Sequence, residues 1–344
     1  MKKNVVLVLL ALIGATALFA APIKVGLVTD VGGIDDRSFN QGTWEGIKVY
    51  AAERNLVVGT DVKYLQSTAD ADYIPNLSTF ADQKMDLIIA PGFLFNEAML
   101  TVAQQYPNQK FMIIDSVVQD KDGKNVPNVA NAVFAANESS FLVGVAAGLK
   151  AKADHKTIVG FVGGMQVPLI QDFQAGYMQG VKAVFPKAKI LIDYTGSFTD
   201  AGIGQAMAAK QYGAGADVIY QAAGASGNGV IKEAKDRSSK GDIRWAIGVD
   251  KDQYADGIYS GTKSCILTSA MKRVDVAAHD VAVMTENGQF PGGQVLMFNL
   301  KNKGVSIPLK NPNLTAAMTK EIDKYMQEIV SGKLTVDDHT KLAM

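Results

Sequence analysis

Val28-Thr29-Asp30-Val31-Gly32-Gly33-Ile34-Asp35-Asp36-Arg37-Ser38-Phe39-Asn40-Gln41-Gly42-Thr43-Trp44-Glu45-Gly46 is the stretch on which the reading of this chain turns. It leaves an apolar run, Ile23 to Val28, crosses a turn rich in glycine and aspartate, and enters a helical pattern at Ser38. Ser38 and Gln41 stand three apart, the spacing of a capping box. In open α/β sheets, ligands sit beyond the carboxyl ends of strands, beside helix N-termini. Phe39, Asn40 and Gln41 bring an aromatic ring and two hydrogen-bonding side chains to that zone, more than a plain chain reversal needs.

Outward from this segment, strand-like and helix-like runs alternate. Strands are expected at 23–29, 61–66, 86–91, 110–115, 128–134, 157–163, 189–195, 216–222, 245–249 and 264–270. Helical spacing fills 38–54, 70–84, 95–106, 138–153, 168–185, 201–213, 226–237, 272–287 and 314–331. This alternation predicts an α/β fold with mostly parallel sheets covered on both faces. The order occurs twice: Lys24–Val28 is echoed by Ile158–Val162, Asp86–Ala90 by Asp217–Gln221, and Phe111–Asp115 by Trp245–Asp250. Two doubly wound lobes are therefore expected, 22–137 with about 264–289, and 138–262 with about 290–344, joined by a multi-strand hinge. A cleft between such lobes suits a ligand that closes it.

Composition narrows the class. The chain has 344 residues, 48% hydrophobic and 20% charged, with zero formal net charge, which disfavours a nucleic-acid partner. Its one cysteine, Cys265, lies in an apolar strand and reads as a small buried hydrophobe. The three histidines are far apart, so no metal site is expected. Lys2 and Lys3 precede an apolar run, Val5 to Ala21, the pattern of a secretory signal with cleavage after Ala20. Without it, acidic residues exceed basic ones by two. With no cysteine near this end, no lipid anchor is expected, and the mature protein is expected to be exported, soluble and free of disulfides.

Familiar catalytic motifs are missing. There is no G-x-x-x-x-G-K-[ST] loop, and Gly224-Ala225-Ser226-Gly227-Asn228-Gly229 fits neither a dinucleotide fingerprint nor a nucleophile elbow. Its amides either face a polar ligand or form a tight packing turn. Asp30, Asp35 and Asp36 lack calcium-loop spacing, and Asp35 and Asp36 read as turn and cap residues. Lys301-Asn302-Lys303 reads as a solvated turn. What remains is a set at strand ends: Asp30, Asp115, Asp250 and Lys272, with Phe39 and Asn40 opening a helix and Phe198 following a strand. Two rings can sandwich a flat heterocycle, carboxylates accept from hydroxyls or ring N–H groups, and a lysine donates. A neutral ligand with a base and a diol uses them all.

The chain resembles the basic-membrane-protein family of extracytoplasmic solute-binding proteins, typified by purine nucleoside receptors of ABC transporters. The resemblance rests on Val28–Gln41, Gly160–Met165, Phe173–Tyr177, Gly196–Asp200, Gly215–Gly224, Ile247–Gln253 and Leu267–Arg273. It implies the type I periplasmic binding protein fold. It also implies that Phe39 and Phe198 sandwich the base, that Asn40 and Asp115 bond its edge, and that Asp250, Lys272 and Asp30 surround the ribose, with Gly224 offering backbone. Many members are lipoproteins; this chain lacks their lipobox cysteine. The expected role is a monomeric, non-catalytic receptor, without cofactor, that delivers nucleosides to an ABC permease. Riboflavin is the alternative ligand within the family. A nucleoside hydrolase or phosphorylase is a weaker alternative, lacking a nucleophile–base pair. A transcription-factor effector domain shares the fold, but export weighs against it.

Overall fold

The computed structural model describes residues 21–308 and 310–341; the secretory signal expected at 1–20 lies outside them. The first lobe opens with β1 (Val25–Thr29), α1 (Phe39–Glu53), β2 (Val62–Gln66), α2 (Tyr73–Asp82), β3 (Leu87–Pro91), α3 (Asn96–Gln105), β4 (Lys110–Ile114) and β5 (Val129–Phe134). The second contains α4 (Ala136–Ala153), β6 (Ile158–Gly163), α5 (Pro168–Val184), β7 (Lys189–Tyr194), α6 (Ala201–Gly213), β8 (Val218–Ala222), α7 (Gly227–Ser239) and β9 (Trp245–Asp250). A small hairpin follows, β10 (Ile258–Ser260) and β11 (Lys263–Ser264), then β12 (Ile266–Lys272) and α8 (Val274–Glu286). The chain ends with β13 (Val295–Phe298), β14 (Val305–Ser306) and α9 (Ala316–Val330).

Two six-stranded sheets form, in the orders β13-β5-β4-β3-β1-β2 and β14-β12-β9-β8-β6-β7. The first five strands of each lobe take the same relative places, as the repeated sequence order leads one to expect. All pairs within these sheets are parallel except β12 with β14. Central strands β1, β3 and β8 are buried along their whole length, which is why they read as unbroken apolar runs.

Two late strands correct the expected division of the chain. The sequence order places residues 264–270 in the first lobe, yet β12 pairs with β9 in the second sheet. It places residues from about 290 onward in the second lobe, yet β13 pairs with β5 in the first sheet. The reason is the duplication itself: β12 supplies the second lobe with the parallel neighbour that β5 supplies to the first. The backbone therefore passes between sheets after β5, after β12 and between β13 and β14.

A continuous core joins Leu27, Ile47 and Ala278 to Leu142, Phe161 and Tyr220. Satellite cores around Phe80, Phe95 and Phe111 and around Tyr212, Ile219 and Val230 cover the opposite sheet faces. Cys265 is buried in the second of these, and burial pushes its thiol up to about 12. Helices α4 and α5 pack at very short range. A β-carbon on Gly180 would fall 2.0 Å from the Phe141 carbonyl oxygen, so only glycine admits this approach. Because α5 also carries residues of the cleft, its seating sets their position. Gly180→Ala should cost about 1–3 kcal/mol by overpacking; an unchanged urea midpoint would contradict the tight seating of α5.

Candidate functional site

The β1–α1 turn is organised by Asp36, not by a capping box. Asp36 Oδ1 accepts from the backbone N–H groups of Ser38 (2.9 Å) and Gln41 (3.1 Å), and Oδ2 accepts from that of Asn40 (2.7 Å). These are orphan donors of the α1 N-terminus, satisfied here by a carboxylate. Ser38 makes no side-chain cap; its Oγ donates to Asp250 Oδ2 at 2.5 Å, across the cleft. Gln41 also faces the other lobe, accepting from Lys251 Nζ at 2.6 Å, and it does not line the cleft cavity. The expected Ser38–Gln41 box fails because both side chains are engaged by the second lobe.

All eight side chains or backbones singled out from the sequence line one cavity between the lobes: Asp30, Phe39, Asn40, Asp115, Phe198, Gly224, Asp250 and Lys272. They come from the carboxyl ends of β1, β4, β7, β8, β9 and β12, or from the turns and helix starts beyond them. Asp115 and Asp250 end equivalent strands in the two lobes, and both adopt left-handed backbone, with φ of 62° and 65°. Aspartate is among the few residues that tolerate this region. The kinked strand ends bring both carboxylates toward Lys272, whose Nζ donates to Asp115 Oδ2 at 2.5 Å and lies 3.6 Å from Asp250 Oδ1.

Lys272 is 4% exposed. Burial disfavours its ammonium, but Asp115 and Asp250 outweigh that and hold it above its ordinary value. Burial pushes Asp115 upward against the pull of the same ammonium, a tendency opposed to ion pairing. The ion pair prevails, because Lys272 answers to two carboxylates at once. The ammonium also lies 4.4 Å from the Phe39 ring centroid and 5.4 Å from that of Phe173. Asp115 Oδ1 is buried without a hydrogen-bond partner. A buried acceptor left in this state is costly unless something donates to it.

A second polar group surrounds Asn40. Its Nδ2 donates to Asp30 Oδ1 (2.8 Å) and Asp36 Oδ2 (3.0 Å). Burial pushes Asp30 up, with the bonds from Asn40 and Gly32 pulling back. Burial likewise raises Asp36, to about 6. The aromatic wall includes members that the sequence reasoning missed. Phe93 meets Phe198 edge-on, centroids 6.2 Å apart, and Leu169, Ile170 and Phe173 of α5 complete the apolar side. Phe93 directly follows strand β3 in Gly92-Phe93-Leu94, a placement that marks it; Phe173 sits mid-helix, where a ring reads as core. The Phe198 ring rests on Gly164, where a β-carbon would lie 2.2 Å from it.

Among the described residues, no cluster of His, Cys, Asp and Glu could hold a metal ion, and no helix is long and apolar enough to cross a membrane. The arrangement offers flat apolar surfaces beside a charged, acceptor-rich floor.

Two expectations about stability follow. Lys272→Met leaves two carboxylates facing each other and should cost about 3–5 kcal/mol at neutral pH, with partial recovery in acid; an unaltered urea midpoint would remove the ion pair from this account. Asp36 in the folded protein binds its proton more tightly than in the unfolded chain, so its contribution to stability falls as pH rises from about 4 to 6. Relative to Asp36→Asn, the native protein should lose roughly 3 kcal/mol across that window. Parallel stability–pH curves would show that Asp36 is not buried in this way.

Comparison with known proteins adds family context. A family model described as "ABC transporter substrate-binding protein PnrA-like" matches residues 23–340. The chain is 40% identical to the ABC transporter nucleoside-binding protein BmpA of Lactococcus lactis subsp. cremoris, over 94% of this chain and 91% of that one. It is 33% identical to basic membrane protein A1 of Borrelia garinii, over 91% and 88%. An uncharacterized lipoprotein of Pyrococcus furiosus is 34% identical over 85% of this chain and 72% of its own. Among solved structures, an ABC transporter solute-binding protein from Aeropyrum pernix superposes with a TM-score of 0.79 at 26% identity, covering 91% of this chain and 93% of that one.

Proposed function

The chain belongs to the PnrA-like family of ABC transporter substrate-binding proteins, and from that premise we propose that it captures nucleosides, purine nucleosides above all, in the interlobe cavity and delivers them to a membrane permease. The observation that carries this reading is the pairing of the Phe39, Phe93 and Phe198 rings with the Asp115–Lys272–Asp250 cluster in one cavity. Stacking on aromatic side chains is worth about 1–3 kcal/mol per base and tolerates base identity. Carboxylates accept from vicinal hydroxyls and base N–H groups. In this reading Phe39 and Phe198 flank the base, Asn40 and Asp115 meet its edge, and Asp250, Lys272, Asp30 and the Gly224 backbone surround the ribose. The name of the Lactococcus relative supports a nucleoside as ligand.

The protein acts outside the cytoplasm in this proposal, as a monomer exported through its first 20 residues to a periplasm. Binding without turnover is part of the same reading, and release of free base from inosine would contradict it. Calorimetric titration of the ligand-stripped protein with inosine, guanosine and adenosine should show binding; silence with all three would sink the proposal. Asp250→Ala should cost roughly 2–4 kcal/mol of affinity for inosine, and less for 2′,3′-dideoxyinosine. An equal loss for both ligands would mean that Asp250 does not read the diol.

A further inference from the structure

Asn40 lines the cavity at 2% exposure, with both of its amide hydrogens taken. Nδ2 donates to Asp30 Oδ1 on one side and to Asp36 Oδ2 on the other. Turning the amide over would set its oxygen against two carboxylates, an arrangement of acceptors alone. Each carboxylate is itself fixed from behind. Asp30 Oδ1 accepts from the Gly32 backbone at 2.8 Å, and Asp36 is held by three backbone N–H groups of the α1 N-terminus. What Asn40 has left is its carbonyl oxygen, which takes only a long bond, 3.3 Å, from the Asp30 backbone.

We infer that Asp36 is a positioning residue: together with Asp30 it locks the Asn40 amide so that this side chain can only accept, and the bound base must bring an N–H donor to that edge. The inference rests on the nucleoside reading above. Asp115 Oδ1, buried and unpartnered, makes the same demand. The site therefore selects for donors on the base, whichever base bears them. Inosine supplies a ring N–H, guanosine a ring N–H and an amino group, adenosine an amino group. Purine riboside has the same ring system and sugar but no N–H on its base. Stacking and ribose contacts are equal for it, so its deficit isolates the donor requirement.

The test is calorimetry with inosine, adenosine and purine riboside at about pH 8, well above the value near 6 to which burial raises Asp36. Purine riboside should bind about 10- to 100-fold more weakly than inosine and adenosine, the cost of leaving a buried acceptor unmet. Asp36→Asn keeps one acceptor oxygen for the backbone N–H groups of Ser38 and Gln41 and replaces Oδ2 with an amide that can donate to a rotated Asn40 oxygen. It should narrow the gap by at least about threefold. A purely structural loss would weaken all three ligands alike and leave the ratio unchanged. Should Asp36→Asn fail to fold, Asp30→Asn frees the same amide from its other side and should narrow the gap in the same way. Equal affinities in the native protein overturn the inference, as does a gap that neither variant changes. Silence with inosine and adenosine overturns the nucleoside reading, and this inference with it.

Discussion

Two ionised carboxylates buried at one site repel each other unless a cation stands between them, and Lys272 is that cation. Asp115 belongs to the first sheet, Asp250 and Lys272 to the second, so the ion cluster ties the lobes at the floor of the cleft. The same fold element was used twice to make it. Both aspartates close the fourth strand of their lobe, and both kink the backbone into the left-handed region. Conformations of this kind persist where the surroundings over-determine them, and they gather at binding sites. Here the surroundings are a buried ammonium and an aromatic wall.

Several further ties between the lobes converge on the start of α1. Asn228 donates to the Asp36 carbonyl at 3.1 Å, Gln253 to the Arg37 carbonyl at 3.1 Å, and Lys251 to Gln41. Ser38 reaches Asp250 from the same turn. One short segment thus meets four polar groups of the second lobe while its Asn40 and Phe39 line the cavity. Contact between the lobes and the proposed recognition of the ligand meet at a single turn, and Asp36 keeps that turn in shape from inside.

Much of this was legible in the sequence because its causes are local. Parallel strands buried on both faces leave apolar runs, and β1 to β9 fell within a few residues of their expected places. The cavity residues at strand ends could be named because a doubly wound sheet puts ligands there. What escaped depends on contacts far apart in the chain. Ser38 and Gln41 have capping spacing, yet their partners are Asp250 and Lys251, more than 200 residues away. The edge strands β13 and β14 are short and carry little pattern of their own, so the crossing of the last segments between lobes was misplaced. Phe173 looks like core on its helix, and only the position of α5 turns it toward the cleft.

The central claim is that the cavity floor of Asp115, Lys272 and Asp250 receives a nucleoside. A crystal structure of the protein with inosine tests it most directly. The account predicts the base between Phe39 and Phe198, the Asp250 carboxylate within hydrogen-bonding distance of the ribose diol, and a donor on Asp115 Oδ1. Inosine bound elsewhere, or held in the cleft with Asp250 turned away from its sugar, would contradict it.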